Sequence, residues 1–198
     1  IEKSLKLTGA NKSILLKTLR AVIGTLDPTL QDVSLSKDLK DTFIIRRGGT
    51  EIIIQEGKLL NREILSSGTA EGIDVAMFLA AMATKESSFY YCDEHFSYIQ
   101  SDIEKRIFGI MLDCIGENQQ LIFTTHNTDM LDLNLPKHSY VFLRKCLEDG
   151  AYTVSAISAS DVLKRNTDSL RRAVENDVFA SLPQDSLLDE LEMEWQHE

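Results

Sequence analysis

The chain has 198 residues, 43% of them hydrophobic, which suits one domain with an ordinary buried core. Acidic residues (31) outnumber basic ones (21), and the net charge of -10 argues against wrapping nucleic acid through the overall field. Cys92, Cys114 and Cys146 show no CxxC spacing, so neither a zinc site nor a disulfide framework is expected; there is no apolar run of about 18 residues and no basic-then-apolar leader. The expectation is a cytoplasmic protein that does not cross a membrane, and Ile1 in place of Met suggests a trimmed chain or a fragment.

Ile1 to Thr8 alternates loosely between apolar and polar residues and predicts a short strand, followed by Gly9-Ala10-Asn11-Lys12-Ser13 and an apolar-rich helix over Ile14 to Ile23. Strand, glycine turn, Lys-Ser and helix is the layout of a phosphate-binding loop, G-x-x-x-x-G-K-[ST]. In such a loop, backbone N–H groups curl around the phosphates while the lysine reaches their outer oxygens. Here only Ala10 and Asn11 separate Gly9 from Lys12, so the loop is three residues short, and the flanks suggest that residues are missing after Asn11.

Gly24 to Asp41 is polar, carries Pro28 and predicts loop and short helix rather than strand. Gln31 is its only glutamine. Thr42 to Arg46 and Glu51 to Gln55 are rich in β-branched residues and predict a hairpin around Gly48-Gly49, with a third strand over Lys58 to Ile64. Leu65-Ser66-Ser67-Gly68-Thr69 then opens a helix carrying Ile73, Ala76, Met77, Ala80 and Ala81. Such a turn offers hydroxyls, backbone N–H groups and a positive dipole end to an anion.

Phe89-Tyr90-Tyr91-Cys92-Asp93-Glu94 is an apolar run ending in two carboxylates, consistent with a buried strand. Paired acids at a strand tip are costly unless a cation or hydrogen-bond donors answer them. Gln100 to Ile115 predicts an amphipathic helix with Ile103, Ile107, Ile110, Met111 and Cys114 inward, and Gln120 to Thr125 a second strand parallel to the first, closing at His126. Asp129 to Leu135 reads as a short helix closed by Pro136, and His138 to Arg144 with Ala151 to Ser155 as strands around Glu148-Asp149-Gly150. Ser160 reads as the cap of a helix to Glu175. The acidic stretch 181–198 is expected to be a tail or a docking helix. His95, His138 and His197 show no ligand spacing, and the pairs Arg46-Arg47, Lys164-Arg165 and Arg171-Arg172 read as solvated faces that could touch phosphates.

The ordered set of Gly-Ala-Asn with Lys-Ser, Leu-Ser-Ser-Gly-Thr, apolar run with Asp-Glu, and Thr-Thr-His resembles the ABC-type ATPase heads over residues 5 to 180. It looks most like the SMC-like and OLD-like ATPases of bacterial phage-defence systems, including those of Septu and some retrons. The resemblance implies an ABC-type P-loop NTPase head for 1–180, an α/β fold with a mainly parallel core sheet flanked by helices and a small antiparallel subdomain. It implies ATP and Mg2+ as cofactors, a homodimer formed through the ATP sites, and an effector such as a nuclease or toxin on another chain, with nucleic acid reached through that complex. Gly9, Asn11, Lys12 and Ser13 would form the nucleotide-binding loop, Ser13 and Asp93 would hold magnesium, Glu94 would be the general base and His126 would contact the γ-phosphate. Ser66, Ser67 and Gly68 would meet the ATP of the opposite subunit, and Ser97 would sit in a loop at the dimer interface. Two alternatives stay open: a non-hydrolysing scaffold of the same fold, and an SMC-type DNA-repair ATPase.

Overall fold

The computed structural model describes residues 9–85, 87–148, 151–165, 168–182 and 186–196. The expected strand at Ile1 to Thr8 and the hairpin tip Asp149-Gly150 lie outside them. The chain divides into two compact units, Ile1–Asn127 and Thr128–Glu198. Among the described residues no helix is long and apolar enough to cross a membrane.

The first unit begins with α1 (Gly9–Leu26), whose Leu15, Leu19 and Ile23 recur every four residues and are fully buried. Helix α2 (Ser67–Ala83) packs along it. A Cβ at Gly72 would stand 2.6 Å from Leu26 Cδ1 and 3.3 Å from Ile23 Cδ1, so the absence of a side chain at Gly72 sets how closely the two helices approach.

Four antiparallel strands follow α1 in the order β1 (Leu30–Leu35), β2 (Thr42–Arg47), β3 (Thr50–Gln55) and β4 (Lys58–Leu59). The hairpin turns on Gly48 and Gly49, both at positive φ (49° and 80°), as a two-residue turn requires. Its buried face is built from cross-strand sets, Val33 opposite Ile45 opposite Ile52, and Phe43 opposite Ile54, all at zero exposure. Strand β1 is a correction, since loop was expected there. Its polar residues belong to the outer face, where Asp32 lies 3.1 Å from Arg20 and 3.7 Å from Arg46, and Arg46 in turn meets Glu51 at 2.8 Å. Pairing across the sheet gives this stretch a partner that local composition does not reveal. The expected third strand is shorter than predicted, ending at Leu59 before a 3-10 turn over Arg62–Ile64.

Strands β5 (Phe89–Asp93) and β6 (Gln120–Thr124) pair in parallel, with α3 (Ser101–Cys114) between them in sequence. These are the two parallel strands among the described residues, so the expected parallel core sheet is present in part and the fold is mixed α/β. The inward face of α3 differs from the apolar prediction. Glu104, Ile107, Phe108 and Met111 are buried, whereas Ile110 is exposed. Phe108 packs on Phe123 with ring centroids 4.7 Å apart, and Glu104 turns inward because two donors on the loop after β6 receive it.

In the second unit, β7 (Val141–Glu148) and β8 (Ala151–Ser158) pair antiparallel from Val141 opposite Ser158 to Glu148 opposite Ala151. One face meets a small core of Ala159, Ala173, Val174 and Phe179, where the Phe142 and Phe179 rings stack at 4.0 Å. The helix expected from Ser160 to Glu175 is broken into α4 (Ala159–Val162) and α5 (Leu170–Glu175). Leu163 is extended after α4, and Ser169 restarts the helix by accepting from the N–H of Arg172 at 3.3 Å. Arg171 is an ion-pair residue rather than a solvated one, reaching Asp132 at 2.6 Å and Asp129 at 3.4 Å. The acidic end forms α6 (Ser186–Gln196), with none of its residues buried.

The contact at Gly72 predicts that Gly72→Ala destabilises the chain by about 1–3 kcal/mol, because Leu26 and Ile23 must move. Gly109→Ala in α3, where a Cβ meets nothing, should instead gain about 0.5–1 kcal/mol. Chemical denaturation of both variants checks the pair, and equal effects would contradict it.

Candidate functional site

Strands β5 and β6 end side by side, with Asp93 opposite Thr124. The Thr124 hydroxyl donates to Asp93 Oδ1 at 2.6 Å, and this bond, followed by one from Tyr91, holds the Asp93 carboxyl below its ordinary range. Glu94 leaves the strand with φ of 52°, a left-handed conformation that is uncommon for a residue with a side chain. Its N–H is shared between the Thr124 carbonyl (3.2 Å) and hydroxyl (3.1 Å). This turn frees the neighbouring acids from simple strand alternation and allows them separate partners. The Glu94 Oε1 atom lies 2.9 Å from Nε2 of His126, on an imidazole that is 86% exposed. Glu94 and His126, singled out from different segments of sequence, are therefore neighbours.

After Glu94 the chain forms a tight loop. Ser97 Oγ donates to the Glu94 carbonyl at 3.0 Å, and the N–H groups of Ser97 and Tyr98 donate to the two carboxylate oxygens of Glu71 at 3.1 and 2.8 Å. Burial raises Glu71 above the ordinary carboxylate value even though those N–H bonds pull it down, so desolvation is the larger effect. Glu71 stands one helical turn after Ser67, and a Cβ on Gly68 would lie 3.3 Å from the Tyr98 carbonyl. The Ser-Ser-Gly turn and the Ser97 loop are thus in direct contact. Ser67, Glu71, Asp74, His95, Tyr98 and Arg62 border a cavity of about 300 Å3, which gives His95 a place beside the site that its sequence spacing did not suggest.

Ser66 caps α2, accepting from the N–H of Thr69 at 3.3 Å and sharing a 2.8 Å bond with the Thr69 hydroxyl. Arg47 donates to that hydroxyl at 3.1 Å and pairs with Asp27 at 2.9 Å, which ties the turn to the antiparallel sheet.

The phosphate-loop residues are placed differently from the expectation. Gly9, Asn11, Lys12 and Ser13 lie in the opening turns of α1, which is helical from Gly9 onward, rather than in a loop ahead of a helix. Lys12 forms an ion pair with Asp41 just before β2. Gln31 is exposed on β1.

Among the described residues no group of three or more His, Cys, Asp or Glu side chains could by itself hold a metal ion. A magnesium ion bound through one carboxylate, waters and phosphate oxygens needs no such cage, and ionised Asp93 fits that mode. Lys12 and Ser13 stand in the opening turns of α1, where a phosphate-binding Lys-Ser is expected, but Lys12 is taken up by Asp41, and a bound triphosphate would have to displace that pair. Cys92, buried beneath the acids, has its thiol pushed up to about 12 chiefly by burial and is no nucleophile.

Sequence reasoning missed Glu71, Glu104 and Asp41, quoted Thr124 only as part of the Thr-Thr-His strand end, and read Arg47 as solvated, whereas it bonds Thr69 and Asp27. Glu104 did leave a signal, because a carboxylate at the helical spacing of Ile107, Phe108 and Met111 is out of place on an apolar stripe.

No protein-family model matches the chain, and no curated protein matches it. Solved structures to which it is similar include SMC heads. An SMC head bound to the C-winged helix domain of ScpA shares 16% identity over 76% of this chain and 45% of that one, with a TM-score of 0.48. A Pyrococcus furiosus Smc head with an extended coiled coil, bound to the C-terminal domain of ScpA, shares 17% over 77% and 37%, with a TM-score of 0.49. A structure from work on ATP-driven dimerization and DNA-stimulated activation of SMC ATPases shares 16% over 77% and 88%, with a TM-score of 0.46. The chain spans less than half the length of the first two, and at these identities and TM-scores no residue role is carried across.

Because its native value lies below the ordinary one, Asp93 adds stability above the ordinary carboxylate pKa, and that contribution is lost as pH falls through the native value. Thr124→Val should move the Asp93 midpoint up toward the ordinary carboxylate value, as followed by carboxyl-carbon NMR. An unmoved midpoint would show that Thr124 is not the cause.

Proposed function

We propose that the chain is an ATP-binding and ATP-hydrolysing head of ABC type that pairs with a second copy around ATP and magnesium. The observation that carries this reading is the Glu94–His126 pair beside ionised Asp93, at the carboxyl ends of two adjacent parallel strands. Bound magnesium would supply positive charge against the phosphate oxygens. Asp93 would hold it through water, with Ser13 a second ligand. Glu94 would take the proton of the attacking water, and His126 would orient that carboxylate and face the γ-phosphate.

Gly9, Asn11 and Lys12 would cradle the nucleotide, and Lys12 would have to exchange Asp41 for a phosphate. Ser66, Ser67, Gly68 and the Ser97 loop would meet the nucleotide of the other copy; their contact through Glu71 and Tyr98 supports treating them as one surface. The resemblance to the ATPases of phage-defence systems is the ground for proposing an antiviral setting in which ATP turnover gates an effector, a nuclease or toxin, carried on another chain.

A second reading, a scaffold that has lost ATP, is favoured by the helical start at Gly9 and by the Lys12–Asp41 pair. ATP turnover and size-exclusion chromatography with and without Mg-ATP separate the two. The enzyme reading expects turnover by the parental chain, a fall on the order of 100-fold or more in Glu94→Gln, and an ATP-dependent dimer that accumulates in that variant. Absence of both turnover and a trapped dimer would leave the scaffold.

A further inference from the structure

Glu104 is among the most deeply buried charged residues described, 2% exposed in the first turn of α3, and nothing in the hydrolytic scheme uses it. An isolated carboxylate so placed is expensive, so its partners indicate why it is there. Its two oxygens each accept one bond from the loop after β6: Oε1 from the Thr125 hydroxyl at 2.8 Å, Oε2 from the Asn127 side-chain amide at 2.6 Å. The Thr125 hydroxyl also accepts from the N–H of Asn127 at 3.0 Å, closing a small turn. The residue between these two anchors is His126, whose own side chain is almost wholly in solvent and touches Glu94. An exposed imidazole has little packing to fix its direction, so the direction must come from its backbone.

We infer that Glu104 is the positioning residue for His126: by gripping Thr125 and Asn127 from α3 it fixes the backbone on both sides of the histidine and so aims Nε2 at Glu94. The role is geometric. A glutamine at 104 can preserve both bonds, accepting from Thr125 with its oxygen and donating from its nitrogen to an Asn127 amide turned over, whereas alanine loses both. The assignment rests on reading Glu94 and His126 as a working pair, and its test is arranged so that a failure of ATP hydrolysis is seen separately.

In the full chain, the His126 imidazole NMR signals should shift when Glu94 is changed to Gln, and this readout needs no nucleotide. In Glu104→Ala that response should be lost, while Glu104→Gln retains it. Should Glu104→Ala fail to fold, Thr125→Val combined with Asn127→Ala removes the same two bonds from the loop side and should give the same loss. In turnover assays, Glu104→Ala should lower kcat about tenfold with KM for ATP unchanged, and should cost nothing further in a His126→Ala background. A His126 response that persists in Glu104→Ala, or that is absent from the parental chain, overturns the inference. So does equal loss in Glu104→Gln, or an effect that multiplies with that of His126→Ala. A parental chain without turnover but with the expected NMR pattern would count against ATP hydrolysis and leave Glu104 in its role.

Discussion

Thr124 joins the two parallel strands where both of them stop. Its hydroxyl donates to Asp93, and its hydroxyl and carbonyl share the N–H of Glu94, so one short side chain settles the ionisation of the first acid and the turn that carries the second. Without that turn, Glu94 would continue the strand and point to the face opposite Asp93. With it, Glu94 reaches the loop after β6 and meets His126. The rest of the first unit can be understood as holding this strand end in place. Phe108 and Phe96 pack on Phe123 beneath it, Glu71 secures the loop on one side and Glu104 the loop on the other.

The chemistry of these supports is consistent. Two buried carboxylates each receive two N–H or O–H donors from a loop, a bidentate arrangement that is directional where hydrophobic packing is not. Directionality matters at this end of the sheet because the residues to be oriented, His126 and the Glu94 side chain, are themselves exposed and make little packing contact. The opening of α1 has no comparable framework. There Lys12, in the first turns of the helix, takes Asp41 as its partner.

Much of this could be read from the sequence where a residue's role is local. The β5 and β6 strands, the Gly48-Gly49 hairpin, the Ser66 cap and the paired acids followed from patterning, turn chemistry and composition within a few residues. What escaped depends on partners far along the chain. Strand β1 owes its pairing to β2, and its polar face to Arg20 and Arg46. Glu71 looks like a solvent residue until the loop 26 positions away comes to meet it, and Glu104, though out of place on an apolar stripe, names no partner until the loop 21 positions away does the same. The break between α4 and α5 followed the same rule in reverse, since helical spacing continued through a stretch where Ser169 caps a new helix. That Asp93 ends one strand and His126 follows the next was therefore legible, while the carboxylates that hold the loops around them were not.

The central claim, that the chain binds ATP with Lys12 on its phosphates, is tested most directly by measuring Mg-ATP binding to the parental chain by titration calorimetry, beside Lys12→Ala and Asp41→Ala. Saturable binding that weakens about tenfold or more in Lys12→Ala, as loss of a charged hydrogen bond implies, and survives in Asp41→Ala is the predicted result. No binding by the parental chain, or binding indifferent to Lys12, would contradict it.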